Sequence, residues 1–158
     1  MQRKTERTDY LLQQYGNSLF RLCLFMLKNE NDAEDAIQDT FIKYLQKAPF
    51  FTDTEHEKAW LFRVVSNTCL DVLRYQQKHP MEELDLAQYL PAKTEQAEIL
   101  EVLLELPEKY RLVLILYYVE GYRISEIAEI IRKSPSAVKM RLQKGRKLLE
   151  AAYRKECL

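Results

Sequence analysis

Only three glycines and five prolines interrupt the 158 residues, and no other feature constrains the fold as tightly. These are the residues that break helices, so their scarcity argues for long helices joined by short connections. Apolar side chains recur at helical spacing between the breaks. A first helix is expected over about Thr8–Leu27, carrying Leu11, Leu12, Tyr15, Leu19, Leu22 and Met26. A second starts at Asn31, read as its cap with Glu34 completing a capping box, and stops before Pro49. A third is expected over about Glu55–Gln77, entered through a Thr54/Glu57 capping box. Trp60 shares a period with Leu61 and Val64, which favours packing over an exposed wedge. Residues 81–94 show no sustained period, carry the acids Glu82, Glu83 and Asp85, and are mostly bracketed by Pro80 and Pro91. They read as a linker between a domain at 1–80 and another at 95–158. In the second domain one helix covers Glu95–Glu105. The next begins at Pro107 and ends at Gly121. The expected fold is all-α, with two small helical domains joined by an acidic linker.

The formal net charge of zero conceals a strong asymmetry. Residues 1–80 balance 11 basic against 11 acidic side chains, residues 81–108 hold 8 acidic and one basic, and residues 122–158 hold 10 basic and 4 acidic. A basic C-terminal segment points at phosphate. Cys23, Cys69 and Cys157 form no C-x-x-C pair, which suits a reduced, cytoplasmic chain. Neither His56 nor His79 stands at ligand spacing from a cysteine, so no metal is expected. No signal peptide is expected before the first helix, and the apolar run Leu112–Val119 is too short to span a bilayer. There is no glycine-rich phosphate loop, no H-E-x-x-H, no G-x-S-x-G and no nucleophile–base set. No enzyme, cofactor or small-molecule substrate is therefore expected.

The segment Ile124-Ser-Glu-Ile-Ala-Glu-Ile-Ile-Arg-Lys-Ser-Pro-Ser-Ala-Val-Lys-Met-Arg-Leu is the most informative. Ile127, Ile131 and Val138 are buried-type residues, and Ala128 supplies the small side chain that two steeply crossing helices need. Ser134 can cap the second helix, with Pro135 at its first position. This is the spacing of a helix-turn-helix whose second helix enters the major groove. That helix, about Pro135–Tyr153, turns Val138, Leu142, Leu149 and Ala152 inward, and Gly145 permits close packing. Ser136, Ala137, Lys139, Met140 and Gln143 are the candidates for base edges. Arg141, Lys144, Arg146 and Lys147 are the candidates for phosphates.

The N-terminal half adds a different surface. Glu30, Asp32, Glu34, Asp35 and Asp39 cluster without an intervening basic residue. Acids at a helix start complement its positive end. Such a face also suits a protein partner rich in arginine or lysine.

The residues from Asn29 to Tyr44 (NENDAEDAIQDTFIKY) and from Lys58 to Arg74 (KAWLFRVVSNTCLDVLR) resemble region 2 of the bacterial sigma-70 family, extracytoplasmic-function group. Leu106-Pro-Glu-Lys-Tyr-Arg, Glu120-Gly, Glu126-Ile-Ala and Val138-Lys-Met-Arg-Leu resemble its region 4. The resemblance spans about residues 10–153 in the family's order. It implies that Glu34, Asp35, Gln38 and Asp39 dock on core RNA polymerase, at the β′ clamp helices, with the β subunit as a further partner. It implies that the helix bearing Asn67, Asp71 and Arg74 recognises and opens the −10 promoter element. The loop from Phe50 to His56, including Phe51 and Thr52, would hold a flipped base. The helix-turn-helix would read the −35 element, and an anti-sigma factor would regulate the chain. Departures from the family pattern include Arg132 and Lys133 in the turn, Arg123 at a capping position, and Ser136 and Ala137 where Gly-Thr is common. The other reading is a stand-alone helix-turn-helix regulator that dimerises on a palindrome.

Overall fold

The computed structural model describes residues 2–78 and 95–157. All regular elements among them are helical: α1 (Gln2–Leu27), α2 (Glu30–Lys47), α3 (Thr54–Lys78), α4 (Glu95–Leu104), α5 (Glu108–Leu114), α6 (Ile124–Ile131) and α7 (Pro135–Cys157). The chain divides into two compact units, Met1–Glu82 and Glu83–Leu158. The expected linker, residues 81–94, lies outside the described residues.

In the first unit α1, α2 and α3 pack pairwise as a three-helix bundle. Helix α1 begins about two turns before the expected Thr8 and is anchored by Leu11, Leu19, Leu22 and Met26, all fully buried. Leu12, expected on the same face, is exposed. Lys28 closes α1 in a left-handed conformation (φ 58°), and α2 follows at once.

Two expected caps are corrected. Helix α2 is capped by Asn29, whose Oδ1 accepts from the Asp32 backbone N–H at 2.9 Å, so Asn31 already lies inside the helix. Helix α3 is capped by Asp53, which accepts from the His56 N–H at 2.8 Å. Thr54 is the first residue of the helix and Glu57 is buried, so neither forms the predicted box. In both cases the spacing pattern was real, but the frame was set by where the chain enters the bundle.

In the second unit α7 packs against α4, α5 and α6. Pro107 is the N-cap of α5, one position before the helix proper. After Leu114 the helix widens into a π turn, Ile115–Val119, in which Glu120 N–H donates to the Ile115 carbonyl at 2.9 Å. Gly121 then reverses the chain at φ 75°, a conformation that costs a glycine little. Arg111 is buried and donates through Nη1 to the Leu104 and Leu106 carbonyls at 2.6 and 3.2 Å, tying the end of α4 to α5.

The α6–α7 pair has the predicted helix-turn-helix form. Ile127 and Val138 are fully buried and Ala128 is buried at the crossing. Ile130, rather than the expected Ile131, completes the core, while Ile131 is half-buried. The turn places Arg132 in the left-handed region (φ 54°), which glycine adopts more readily than any other residue. Ser134 Oγ accepts from the Ala137 N–H at 3.1 Å, and Pro135 opens α7 as expected. A Cβ on Gly145 would lie 3.1 Å from Leu114 Cδ1, so α7 and α5 approach closely there.

Candidate nucleic-acid interface

Helix α7 separates its residues by face. Val138 and Leu142 are fully buried, and Leu149 and Ala152 are half-buried. Ser136, Lys139, Met140, Gln143, Lys144, Arg146 and Lys147 are exposed, and Ala137 and Arg141 are half-buried. Met140 remains 69% exposed, too open for a core role. An open groove of about 640 Å³ runs along this face, lined by Ala137, Met140, Arg141, Gln143, Lys144 and Lys147, with Tyr110 from α5. Seven of the nine predicted positions are thus exposed, and six of the nine border one groove.

Tyr110 was not singled out from the sequence. Lys109 and Lys144 lie over its ring at 5.1 and 5.6 Å. Burial acts to raise its phenol pKa, but the hydrogen bond from Lys144 and the charges of both lysines outweigh it and hold the phenol below its ordinary value. Arg146 turns from the groove. Its Nε donates to the Leu142 carbonyl and its Nη1 to the Tyr118 hydroxyl at 3.1 Å. At the start of α6, Glu126 accepts from the Arg123 backbone N–H at 2.9 Å and from its Nε at 3.0 Å. That is the acid's half of a capping box. Arginine has no acceptor to supply the other half.

In the first unit, Glu34, Asp35 and Gln38 are exposed on α2. Asp39 is partly neutralised by Lys43 at 2.8 Å. Asp32 accepts from Gln76 Nε2 at 2.8 Å and so serves the α2–α3 packing. On α3, Asn67, Asp71 and Arg74 are exposed and share one face at spacings of four and three. Asp71 and Arg74 pair at 3.0 Å.

The structure separates the two loop phenylalanines. Phe50 is 95% exposed and has no packing role. Phe51 is half-buried, edge-on to Trp60 with centroids 6.1 Å apart. Trp60 also meets Tyr44 edge-on at 5.8 Å, consistent with the packing role that its period favoured. Thr52 and Asp53 are exposed beside them. The Asp53 carboxyl is held below the ordinary carboxylate range, first by the His56 backbone N–H and then by the His56 ring.

Behind this loop lies a buried network. Glu57 accepts from Arg7 Nε at 3.2 Å and from Arg7 Nη2, and its second oxygen accepts from the Tyr44 hydroxyl at 2.8 Å. Burial, and then the hydrogen bond to Glu57, push the Tyr44 phenol up to about 12. The network was missed because Glu57 was assigned to a cap. Its signal was present, since Glu57, Leu61, Val65 and Cys69 form one i, i+4 series and all four are buried. Among the described residues, no grouping of three or more histidine, cysteine or carboxylate side chains could hold a metal ion.

A basic exposed helix behind a capped turn is the arrangement with which helix-turn-helix proteins contact duplex DNA. The first unit presents a second, different set of exposed polar groups. Residues 11–79 match the family model for sigma-70 region 2, and residues 96–149 match that for sigma-70 region 4. The chain is 34% identical over 155 residues to the extracytoplasmic-function RNA polymerase sigma factor SigM of Bacillus subtilis, an alignment covering 92% of this chain and 94% of that protein. It is 30% identical over 148 residues to the RNA polymerase sigma factor SigV of Bacillus subtilis, covering 91% and 89%. The fold superposes on CnrH, solved in complex with the cytosolic domain of CnrY, with a TM-score of 0.71 and 25% identity over 93% of this chain and 87% of that one. It also superposes on the sigma factor RpoE of Bartonella quintana, solved with the anti-sigma factor NepR, with a TM-score of 0.74, 21% identity and coverage of 92% and 96%.

The chain belongs to the sigma-70 family. It is a sigma factor of the extracytoplasmic-function group, acting in promoter recognition during transcription initiation. The stand-alone regulator is not favoured, because a helix-turn-helix alone leaves the region 2 match unexplained.

Proposed function

We propose that this sigma factor divides its work among three surfaces. The exposed face of α7 reads the −35 element as duplex, with Ser136, Ala137, Lys139, Met140 and Gln143 toward bases and Arg141, Lys144 and Lys147 toward phosphates. Arg146, committed to Tyr118, contributes through that contact or not at all. The face of α3 bearing Asn67, Asp71 and Arg74, with Phe50 and Thr52 of the preceding loop, engages the −10 element and stabilises the opened strand. Phe51 supports that loop from beneath through Trp60. Glu34, Asp35, Gln38 and Asp39 on α2 dock on the β′ clamp helices of core polymerase, with the β subunit as a further contact. Residues 1–80 thus serve polymerase binding and the −10 element, and residues 95–158 serve the −35 element.

The observation that carries this reading is the α7 groove, where six side chains suited to bases and phosphates line one open surface. Polymerase performs the nucleotidyl transfer, and this chain supplies recognition without covalent chemistry. Joining two DNA-reading units in one chain raises their effective concentration on a promoter. One fold neighbour was solved with the anti-sigma factor NepR and another with the cytosolic domain of CnrY, which supports an anti-sigma factor as a partner here. No helix among the described residues is long and apolar enough to cross a membrane, and the proposed site of action is the cytoplasm, with polymerase.

The test is core-polymerase binding and run-off transcription from a promoter library, with Asp35→Arg and Lys139→Ala variants. Asp35→Arg should lose core binding, and Lys139→Ala should keep it while changing −35 preference. A wild-type chain that ignores core polymerase yet binds a palindromic duplex tightly by itself would sink the reading.

A further inference from the structure

A cleft of about 630 Å³ lies beside the loop that follows α2, and the surfaces proposed above account for only part of its lining. Loop residues from Pro49 to Asp53 line one part of it, and Arg3, Lys4 and Arg7 of α1 line another. The buried residues Tyr44 and Glu57 also line it.

The start of α1 is fixed in place. Arg7 is bound to the buried Glu57, and its guanidinium stacks 4.7 Å over the Tyr10 ring. One turn earlier, Lys4 Nζ donates to the Leu45 carbonyl at 3.4 Å near the end of α2. The charges in the cleft do not cancel evenly. Glu57 is matched by Arg7, and Asp53 accepts from the His56 N–H and contacts its ring Nδ1 at 2.8 Å. Arg3 and Lys4 are left as exposed cations facing no committed carboxylate of the cleft, alongside a phenylalanine that is 95% exposed. A cationic rim beside an open aromatic ring is the arrangement that binds single-stranded nucleic acid, the cations tracking phosphates and the ring stacking a base.

We propose that Arg3 and Lys4 hold the phosphodiester backbone of the separated strand whose base stacks at Phe50, making the first turn of α1 a further DNA-contacting element. Arg7, paired with Glu57, is a positioning residue that keeps this turn beside the loop. The proposal rests on the reading of the loop as the site of the opened strand, and the experiment separates the two.

The full chain is assembled with core polymerase and titrated with promoter probes whose −10 region is single-stranded on the non-template side. In a matched probe set, one phosphate at a time is replaced by a neutral methylphosphonate. Arg3 and Lys4 are exposed, so an Arg3→Gln/Lys4→Gln double variant should fold normally. It should bind roughly three- to tenfold more weakly, and its log K against log salt slope should flatten by about 1.4, the value for two single-strand phosphate contacts. Wild type should weaken when one or two phosphates next to the stacked base are neutralised, and the double variant should be indifferent to those same positions. If the double variant binds as wild type while Phe50→Ala binds more weakly, the proposal is overturned and the loop reading stands. If Phe50→Ala also binds as wild type, the loop reading fails and the proposal with it. Equal weakening on fully duplex probes, or a loss with no dependence on phosphate position, overturns it as general attraction.

Discussion

In the first unit the buried charge is Glu57, satisfied by Arg7 from 50 residues away and Tyr44 from 13 residues away. In the second it is Arg111, whose Nη1 donates to backbone carbonyls only 7 and 5 residues earlier. Glu57 is therefore held only when all three helices of its bundle are docked. The Nη1 contacts of Arg111 reach the end of the preceding helix and the short connection after it. A buried ion without partners is strongly destabilising, so each contact specifies its fold, but at different range. The loop that Glu57 supports is built by long-range packing, whereas the recognition helix stands on a locally determined turn.

This contrast can be broken most directly at Arg111. Arg111→Leu leaves two carbonyls without their donor and should cost about 3 kcal/mol. The chain has a single tryptophan, Trp60, which reports on the first unit. The variant should lower the far-UV circular dichroism transition of the second unit while leaving the Trp60 fluorescence transition in place. Movement of both transitions together would mean that the two units unfold as one.

A smaller effect is expected at Arg7, which is partly exposed. Arg7→Met should cost roughly 1–2 kcal/mol after allowance for solvent screening, and it should appear in the Trp60 transition. The same network gives a pH signature. The Tyr44 phenol is raised from 10.0 to about 12, so its contribution is fully present below pH 10.0 and is lost as pH rises through about 12. The first unit should lose stability across that window, and Tyr44→Phe should reduce the loss. An unchanged alkaline profile in Tyr44→Phe would remove Tyr44 from the network.

Gly145→Ala probes the close approach of α5 and α7. The added methyl would crowd the Leu114 side chain, so a cost of about 1 kcal/mol is expected, read by thermal melting. The smallest change expected is a gain. Arg132 holds a left-handed conformation that glycine adopts freely, so Arg132→Gly should stabilise the second unit by roughly 0.5 kcal/mol, net of the added freedom of the unfolded chain. A lower melting temperature in that variant would show that the Arg132 side chain contributes more than its backbone strain costs.

Much of the helix-turn-helix was legible beforehand because its signals are local. Ser134 and Pro135 mark a helix start whatever surrounds them, Gly121 marks a reversal, and Gly145 sits one helical repeat from other inward positions. The exchange of Ile131 for Ile130 shows the limit of that reading. Both are apolar, and the choice depends on the angle at which α6 meets its neighbours. The caps at Asn29 and Asp53 were displaced for a related reason. Several polar residues near each helix start can accept a backbone N–H, and the entering chain selects among them.

The helical class, the division of charge, the exposed basic face of α7 and the family are legible in the residues alone, because these depend on composition and on spacing within one helix. That Glu57 is buried rather than capping, that Phe50 is open while Phe51 packs on Trp60, and that Arg3 and Lys4 border the same cleft as the loop follow from the packing of the helices. Each of these depends on side chains that are far apart in the chain and meet only when α1, α2 and α3 dock, and no local period encodes that meeting.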